Sequence, residues 1–567
     1  IPQCCSWDGA KRCRLKWEDA MNILFVMYDQ LRFDYLSCAG HPHLQTPNFD
    51  RVANMGMRFT NAYVQSPICG SSRMSFYTGR YVSSHGAVWN GFPLRVGEQT
   101  MGDHLRRVRM ECWLIGKTHM KTDAEGMARL VLAPDSVIGA RQAECGFDVW
   151  IRDDGLRGQG PDGFNDERRS PYDEYLKSKG YPSENPWALH ANAGVDEDGD
   201  VASGRMFEDA DKPANLSEED SETPWLTQRI IDFIDQAEGL WCAHVSFTKP
   251  HWPYIVPAPY HDMFGANHIP TALRSDIERQ DPHPVYGAYM RNRISAAFQQ
   301  EDVRQKVIPA YVGLITQCDD QLGVLLDHLE ETDRLQDTMI VLTSDHGDYL
   351  GDHWLGEKDL FHDPSVKVPM IIYDPRPEAN PTRGTVCDAL VEAIDLAPTF
   401  LDAASDTSVP HILEGRSLIP WLHEDIPEWR TYVVSDFDYS STPQGKALGL
   451  DPMDCRLFMI FDGRFKLMHA EGGFRPMLFD LQTDPEEFHD LAKSEGHQTE
   501  IDRLYDHLAD WGRRCSQRVT TSDDDIRAMR GASLRKGILP FLVDGSEVPE
   551  DLTAAYRGRA HKTYVGD

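Results

Sequence analysis

Four short apolar runs, each ending abruptly in charged or metal-ligating residues, constrain this chain more than any other feature. They are Asn22-Ile23-Leu24-Phe25-Val26-Met27 before Tyr28-Asp29, and Cys112-Trp113-Leu114-Ile115 before Gly116-Lys117. Leu240 to Phe247 precedes Lys249-Pro250-His251, and Met339-Ile340-Val341-Leu342 precedes Ser344-Asp345-His346. Runs of this length without polar alternation suit strands buried on both faces, the condition of a parallel sheet. Helical patterns such as Leu322 to Leu329 and Val391 to Leu401 lie between them. The alternation predicts an α/β sandwich of helices on a large, mostly parallel central sheet. Ligands in such sheets bind beyond the carboxyl ends of the strands. Any one polar residue there simply ends a strand; four strands ending this way point to a functional cluster.

After Leu418-Ile419-Pro420-Trp421-Leu422 the pattern changes. Leu457 to Phe461, Phe465 to His469 and Met477 to Leu481 read as short strands separated by the turn signals Asp462-Gly463 and Gly472-Gly473. They predict a smaller antiparallel sheet packed by a helix over Ile501 to Trp511. The expected organisation is a leader at 1–20, a catalytic α/β domain at 21–425, a smaller domain at 426–511 and a tail at 512–567. The stretch 152–225, acidic and poor in apolar residues, reads as a surface insertion. The tail is too irregular to fold alone, and its run Ile538-Leu539-Pro540-Phe541-Leu542-Val543 is expected to be buried, with docking on a neighbouring subunit of a homodimer or homotetramer.

The net charge of -33 argues against nucleic acid and highly polyanionic partners. No run of eighteen apolar residues is present, so no membrane span is expected. The leader has no apolar secretory core, and Met21 reads as the natural start. Three of the 12 cysteines fall in the leader, and the rest lack disulfide or zinc spacing, which fits a reducing, cytoplasmic compartment.

Residues 69–80 read Cys-Gly-Ser-Ser-Arg-Met-Ser-Phe-Tyr-Thr-Gly-Arg. The cysteine stands at the mouth of a predicted helix, with Ser71 or Ser72 as its cap and Arg73 one turn on. Free backbone N–H groups and the helix dipole would make position 69 an anion site; taken alone, such a cysteine is more often structural. Asp29 and Asp345 offer hard oxygens for a divalent metal, and His346 adds a nitrogen. That donor set leans toward manganese or another transition ion over calcium, with zinc also compatible.

The 69–80 string resembles the signature of the type I sulfatases, Cys-x-(Pro/Ala)-Ser-Arg followed by Thr-Gly, with Ser71 at the Pro/Ala position. Those enzymes and the related phosphonate monoester hydrolases belong to the alkaline phosphatase superfamily. Gly116-Lys117-Thr118-His119, Lys249-Pro250-His251-Trp252-Pro253 and Gly356-Glu357-Lys358 also fit sulfatase elements, and the ending from Leu478 to Pro485 looks like the sulfatase carboxyl-terminal domain. Gln30 and His346, where sulfatases carry Asp and Asn, fit the phosphonate hydrolase pattern better.

The resemblance implies an alkaline-phosphatase-like fold and one divalent metal held by Asp29, position 69, Asp345 and His346. It also implies formylglycine, made from Cys69 by a formylglycine-generating enzyme, as nucleophile. Arg73 is expected to stabilise the ionised diol, and Lys117 and Lys358 the equatorial oxygens of a small anionic ester. Asn90 and Gln30 are expected to contact the transferred group, with His251 beside Lys358 protonating the leaving oxygen. His119 then takes a proton from the second hydroxyl, and a covalent hemiacetal breaks by C–O cleavage. The expected activity is hydrolysis of small sulfate monoesters. Phosphonate monoester or phosphodiester hydrolysis is the alternative, and a non-catalytic anion-binding protein the remote one. The aromatic residues Trp89 and Trp252 are candidates to shape the pocket.

Overall fold

The computed structural model describes residues 21–155, 170–405 and 410–530. These fall into two compact units, residues 21–405 with Leu413–Arg513, and 410–412 with 514–530. The leader and the apolar run at 538–543 lie outside the described residues.

Fourteen strands follow in chain order: β1 Asn22–Asp29, β2 Met57–Tyr63, β3 Glu111–Gly116, β4 Asp148–Arg152, β5 Ala193–Val195, β6 Val201–Ser203, β7 Trp241–Pro250, β8 Thr338–Ser344, β9 Met370–Tyr373, β10 Thr385–Glu392, β11 Val433–Asp438, β12 Arg456–Phe461, β13 Phe465–Ala470 and β14 Met477–Asp480. Eight form the main sheet in the order β10-β2-β9-β8-β1-β7-β3-β4. Only β9 runs against its neighbours, pairing antiparallel with both β2 and β8. The four apolar runs of the sequence are β1, β3, β7 and β8, and they lie side by side. β1 and β8 are buried along their whole length, as a sheet covered on both faces requires.

The side chains of β1 show the two layers. Leu24, Val26 and Tyr28 join a core with Val307, Ile315 and Leu322 of the helix Glu301–Glu331. Phe25 points the other way, with ring centroids 6.0 Å from Phe76 and 5.3 Å from Phe400. This is the predicted sandwich, with helices on both faces of a mostly parallel sheet.

Two local readings change. Val391 and Glu392 finish β10, so the helix expected from Val391 begins only at Leu396, after the short turn Ala393–Asp395. An apolar strand running straight into an apolar helix leaves no break in hydrophobicity to mark the boundary. Within 152–225, the residues from 170 on do not merely lie on the surface. Tyr172, Leu176, Trp187, Ala191 and Trp225 pack into the main core, while Glu197, Asp198 and Asp200 are exposed at the tip of the β5–β6 hairpin.

The antiparallel sheet β11-β12-β13-β14 belongs to the first unit. Val434, Ile460, Leu467 and Leu478 cover Ile501, Leu504 and Trp511 of the helix Gln498–Gly512. The second unit contributes the helix Asp523–Met529, started by a capping box between Ser522 and Asp525.

Candidate active site

Because β8, β1, β7 and β3 are adjacent and parallel, their carboxyl ends converge. Tyr28 pairs with Ser344 on one side and Phe247 on the other, and Gly116 pairs with Ser246. The residues just beyond these levels are Asp29, Asp345, His346 and Lys117. Gly116 turns the chain out of β3 at φ 109°, with its Cα face against the Ser246 carbonyl, where a Cβ would come within 2.2 Å. Only glycine meets both demands.

Cys69 is the first residue of the buried helix Cys69–Thr78. The serine cap expected from the sequence is absent. Ile68 precedes the helix with no side-chain cap, the Ser72 hydroxyl donates to the Asp345 carbonyl at 2.6 Å, and that of Ser71 to the Val88 carbonyl at 3.3 Å. The free Gly70 N–H is met by Asn90 Oδ1 at 2.8 Å, so Asn90 anchors the turn carrying position 69.

Around the Cys69 sulfur stand His346 Nε2 at 3.0 Å and Lys358 Nζ at 3.1 Å. Burial alone would raise the thiol pKa, yet the Lys358 and His346 charges bring it well below its ordinary value. The site thus stabilises an anion at this position.

Arg73 is fully buried and all three of its guanidinium nitrogens are hydrogen-bonded. Nε donates to Asp345 Oδ2 at 2.8 Å and Nη2 to Asp29 Oδ2 at 3.1 Å. Nη1 donates to Ser246 Oγ at 2.7 Å and to the Lys117 carbonyl at 3.0 Å. It clamps the two carboxylates, one helical turn along from position 69. Lys117 Nζ reaches Asp29 Oδ2 at 2.5 Å. Burial would raise the Asp29 pKa, but Lys117, His251 and Arg73 hold it below the ordinary carboxylate range.

The remaining oxygen, Asp29 Oδ1, is buried with no hydrogen-bond partner. It faces His346 Nε2 and His251 Nε2, each 3.9 Å away. Asp29, Cys69, Asp345 and His346 each present one ligand atom, all within 4.8 Å of one another. His346 has its Nδ1 on the Gly347 carbonyl at 2.9 Å, which leaves Nε2 toward the group. An orphaned carboxylate oxygen amid three further donors fits a resident divalent metal.

The second ring of contacts holds the cations and the acid–base pair. Lys358 Nζ lies 3.0 Å from His251 Nε2 and 3.4 Å from Gln30 Oε1. Burial and then Lys358 lower the His251 pKa to about 4, so the imidazole is neutral. The Lys358 pKa is raised despite burial by the charges at Cys69 and Asp29, so the proton shared by this pair rests on lysine. His119 has left-handed backbone (φ 54°), and its N–H and that of Thr118 donate to Asp154 Oδ1 at 3.2 and 3.0 Å. Arg152 holds Asp154 at about 2 against its burial. Trp252 sits against the His251 ring, 5.2 Å between centroids; Trp89 stacks on Phe437.

All eleven predicted residues therefore come together, with Asn90 on the Gly70 N–H and Arg73 on the two carboxylates. Ser246, Asp154, Asp348 and Tyr254, which orient them, escaped sequence reasoning. Their types are ordinary, and only the pairing of distant strands and loops reveals them.

A second group, Glu278, His353 and His362, also has ligand-type atoms within 4.8 Å of one another. There His353 Nδ1 meets Glu278 Oε1 at 2.6 Å, Tyr349 OH meets His362 Nδ1 at 3.2 Å, and the two imidazoles stack at 3.8 Å with 2° between planes.

Residues 21–407 match the family described as Sulfatase, and 351–513 that described as N-sulphoglucosamine sulphohydrolase, C-terminal. The chain is 30% identical to the multifunctional alkaline phosphatase superfamily protein PehA of Trinickia caryophylli, over 83% of this chain and 91% of that one. It is 28% identical to an arylsulfatase of Clostridium perfringens, over 85% and 92%. Among solved structures, the phosphonate monoester hydrolase of Silicibacter pomeroyi superposes with a TM-score of 0.76 at 29% identity, covering 88% of this chain and 97% of that one. With the sulfatase match spanning well over half its length, this chain is a member of the sulfatase family.

Proposed function

We propose that the chain hydrolyses small sulfate monoesters, with phosphonate monoesters and phosphodiesters as slower substrates of the same site. The observation that carries the reading is the orphaned Asp29 Oδ1, set with Asp345, His346 and position 69 among Lys117, Lys358, His119 and His251. The family's formylglycine, made from Cys69 by a generating enzyme, supplies a hydrated aldehyde as nucleophile. The Cys69 sulfur stands where its oxygens would be. A divalent metal, manganese by the donor set, would be held by Asp29, Asp345, His346 and position 69, and supplies Lewis acidity.

The protein's own groups do the rest. Lys117 and Lys358 bring positive charge to the oxygens of the transferred group, in a dry site where such preorganised charge counts most. Arg73 keeps Asp29 and Asp345 in place without touching the ester. The proton for the leaving oxygen resides on the Lys358–His251 pair, held on Lys358 before substrate arrives. His119 Nδ1 is buried with no hydrogen-bond partner, which suits His119 to take the proton whose loss releases the product. Asn90 secures Gly70 and with it the reacting position.

Gln30 and His346 favour the phosphonate reading, as do the solved phosphonate hydrolases. Lys117 and His119 favour sulfate. The ratio of kcat/KM for a matched aryl sulfate and aryl phosphonate monoester tests the choice. A ratio above one is expected; a ratio far below one makes phosphonate hydrolysis the main activity, and no turnover of either overturns the reading.

A further inference from the structure

We propose that Asp348 and Tyr254 are positioning residues that fix the direction of the Gln30 amide, and through it hold the Lys358 ammonium at position 69; the role given to Lys358 rests on the function proposed above. Gln30 is fully buried, and its backbone is pinned at φ 67° by Asp345 Oδ1 on its N–H (3.1 Å) and the Tyr311 hydroxyl on its carbonyl (2.7 Å). Its side-chain Nε2 donates to Asp348 Oδ2 and, at 3.2 Å, to the Tyr254 hydroxyl. That hydroxyl gives its own proton to the same Asp348 oxygen at 2.7 Å, and Asp348 Oδ1 is taken by the Leu350 N–H at 2.9 Å.

An amide has a donor end and an acceptor end of nearly equal shape, so its direction is set by its neighbours. Both Asp348 oxygens already accept, Oδ1 from the Leu350 N–H and Oδ2 from the Tyr254 hydroxyl, so the Gln30 nitrogen must face Asp348. Oε1 is thereby left toward Lys358 Nζ. This tether matters because the other Lys358 contacts, position 69 and His251 Nε2, are the atoms that change during turnover. The loop backbone is held by the Tyr349 N–H on the Glu357 carbonyl (2.6 Å) and the Ser365 hydroxyl on the Asp359 carbonyl (2.8 Å), and neither contact touches the Lys358 side chain. Gln30 Oε1 is the contact that stays constant.

Asp348→Asn keeps the shape but must turn an NH2 toward a donor, either the Leu350 N–H or the Gln30 amide. The second arrangement reverses Gln30 and sets an NH2 against the ammonium. A double-mutant cycle with Gln30→Ala isolates the effect. Calorimetric binding of inorganic sulfate and kcat/KM for a nitrophenyl sulfate and an alkyl sulfate are measured for each variant.

Asp348→Asn and Gln30→Ala are each expected to weaken sulfate binding and kcat/KM by about tenfold to hundredfold. The alkyl ester should lose more, because its leaving oxygen depends on the Lys358–His251 proton. In the Gln30→Ala background, Asp348→Asn should add less than about threefold. Tyr254→Phe removes one acceptor from the amide and is expected to show a smaller loss that likewise vanishes in that background; it carries the test if Asp348→Asn does not fold. Additive losses, or equal losses for the two esters, overturn the positioning role. A wild-type protein that binds sulfate but turns over neither ester overturns the functional reading, and the binding cycle still decides the positioning one.

Discussion

Two clusters in this molecule share residue types and spacing yet differ in what they can hold. Asp29, Cys69, Asp345 and His346 have their outward atoms tied down by Arg73, Lys117, the Gln30 N–H and the Gly347 carbonyl. Their inward lone pairs converge, and one carboxylate oxygen has no partner at all. In the other group, His353 Nδ1 is bonded to Glu278 Oε1 and His362 Nδ1 to the Tyr349 hydroxyl, and the imidazoles lie face to face. A histidine binds metal in the plane of its ring, so stacked rings direct their lone pairs side by side and never to one point. Proximity of ligand types is therefore a weak criterion; the direction of the uncommitted lone pairs decides.

The largest effect should come from breaking the first cluster. Asp345→Ala and Asp29→Asn are expected to abolish binding of a divalent metal and to lower kcat by about a thousandfold or more. His353→Phe and His362→Phe should leave about one metal per chain, as elemental analysis will show; metal lost from the latter pair would mean that the stacked site is the resident one. Next, Arg73→Lys keeps the charge but not the fork that spans both carboxylates. It should cost about a hundredfold in kcat/KM, with partial recovery at high metal concentration.

A smaller effect concerns stability alone. Glu278→Gln removes the charge from the His353 hydrogen bond and should destabilise the fold by about 1–3 kcal/mol in denaturant titrations, with metal content unchanged. The smallest is a pH effect. His362 has its pKa pushed well below the ordinary value by burial, then by His353 and Lys466. Between that depressed value and the unfolded value of about 6.5, the unfolded chain binds the extra proton, so stability falls as pH falls through this window. His362→Gln should make the acid-side decline in Tm shallower by about 1 kcal/mol equivalent. An unchanged slope would show that His362 is not the group responsible.

The difference between the clusters also measures how much the sequence revealed. β1, β3, β7 and β8 were readable because strands buried on both faces need no polar alternation, and their ends named Asp29, Lys117, His251, Asp345 and His346. Cys69, Arg73 and Lys358 were readable through motifs. The helix cap was misread because the Ser72 hydroxyl finds the Asp345 carbonyl, a contact 273 residues away in sequence. The motif places Arg73 one turn from position 69, but its bonds to two carboxylates from different strands carry no local signal. Asp348 and Tyr254 carry no local signal, and their meaning arises only once Gln30 lies between them. The insertion read as surface because its acidic tip masks the Tyr172, Trp187 and Trp225 that anchor it.

Mass analysis of the tryptic peptide spanning Cys69, from protein made in its native cells, tests the central claim most directly. The account predicts a peptide lighter than the cysteine form, carrying an aldehyde that reacts with a hydrazide, in proportion to specific activity. A fully active protein whose position 69 is entirely unmodified cysteine would contradict it.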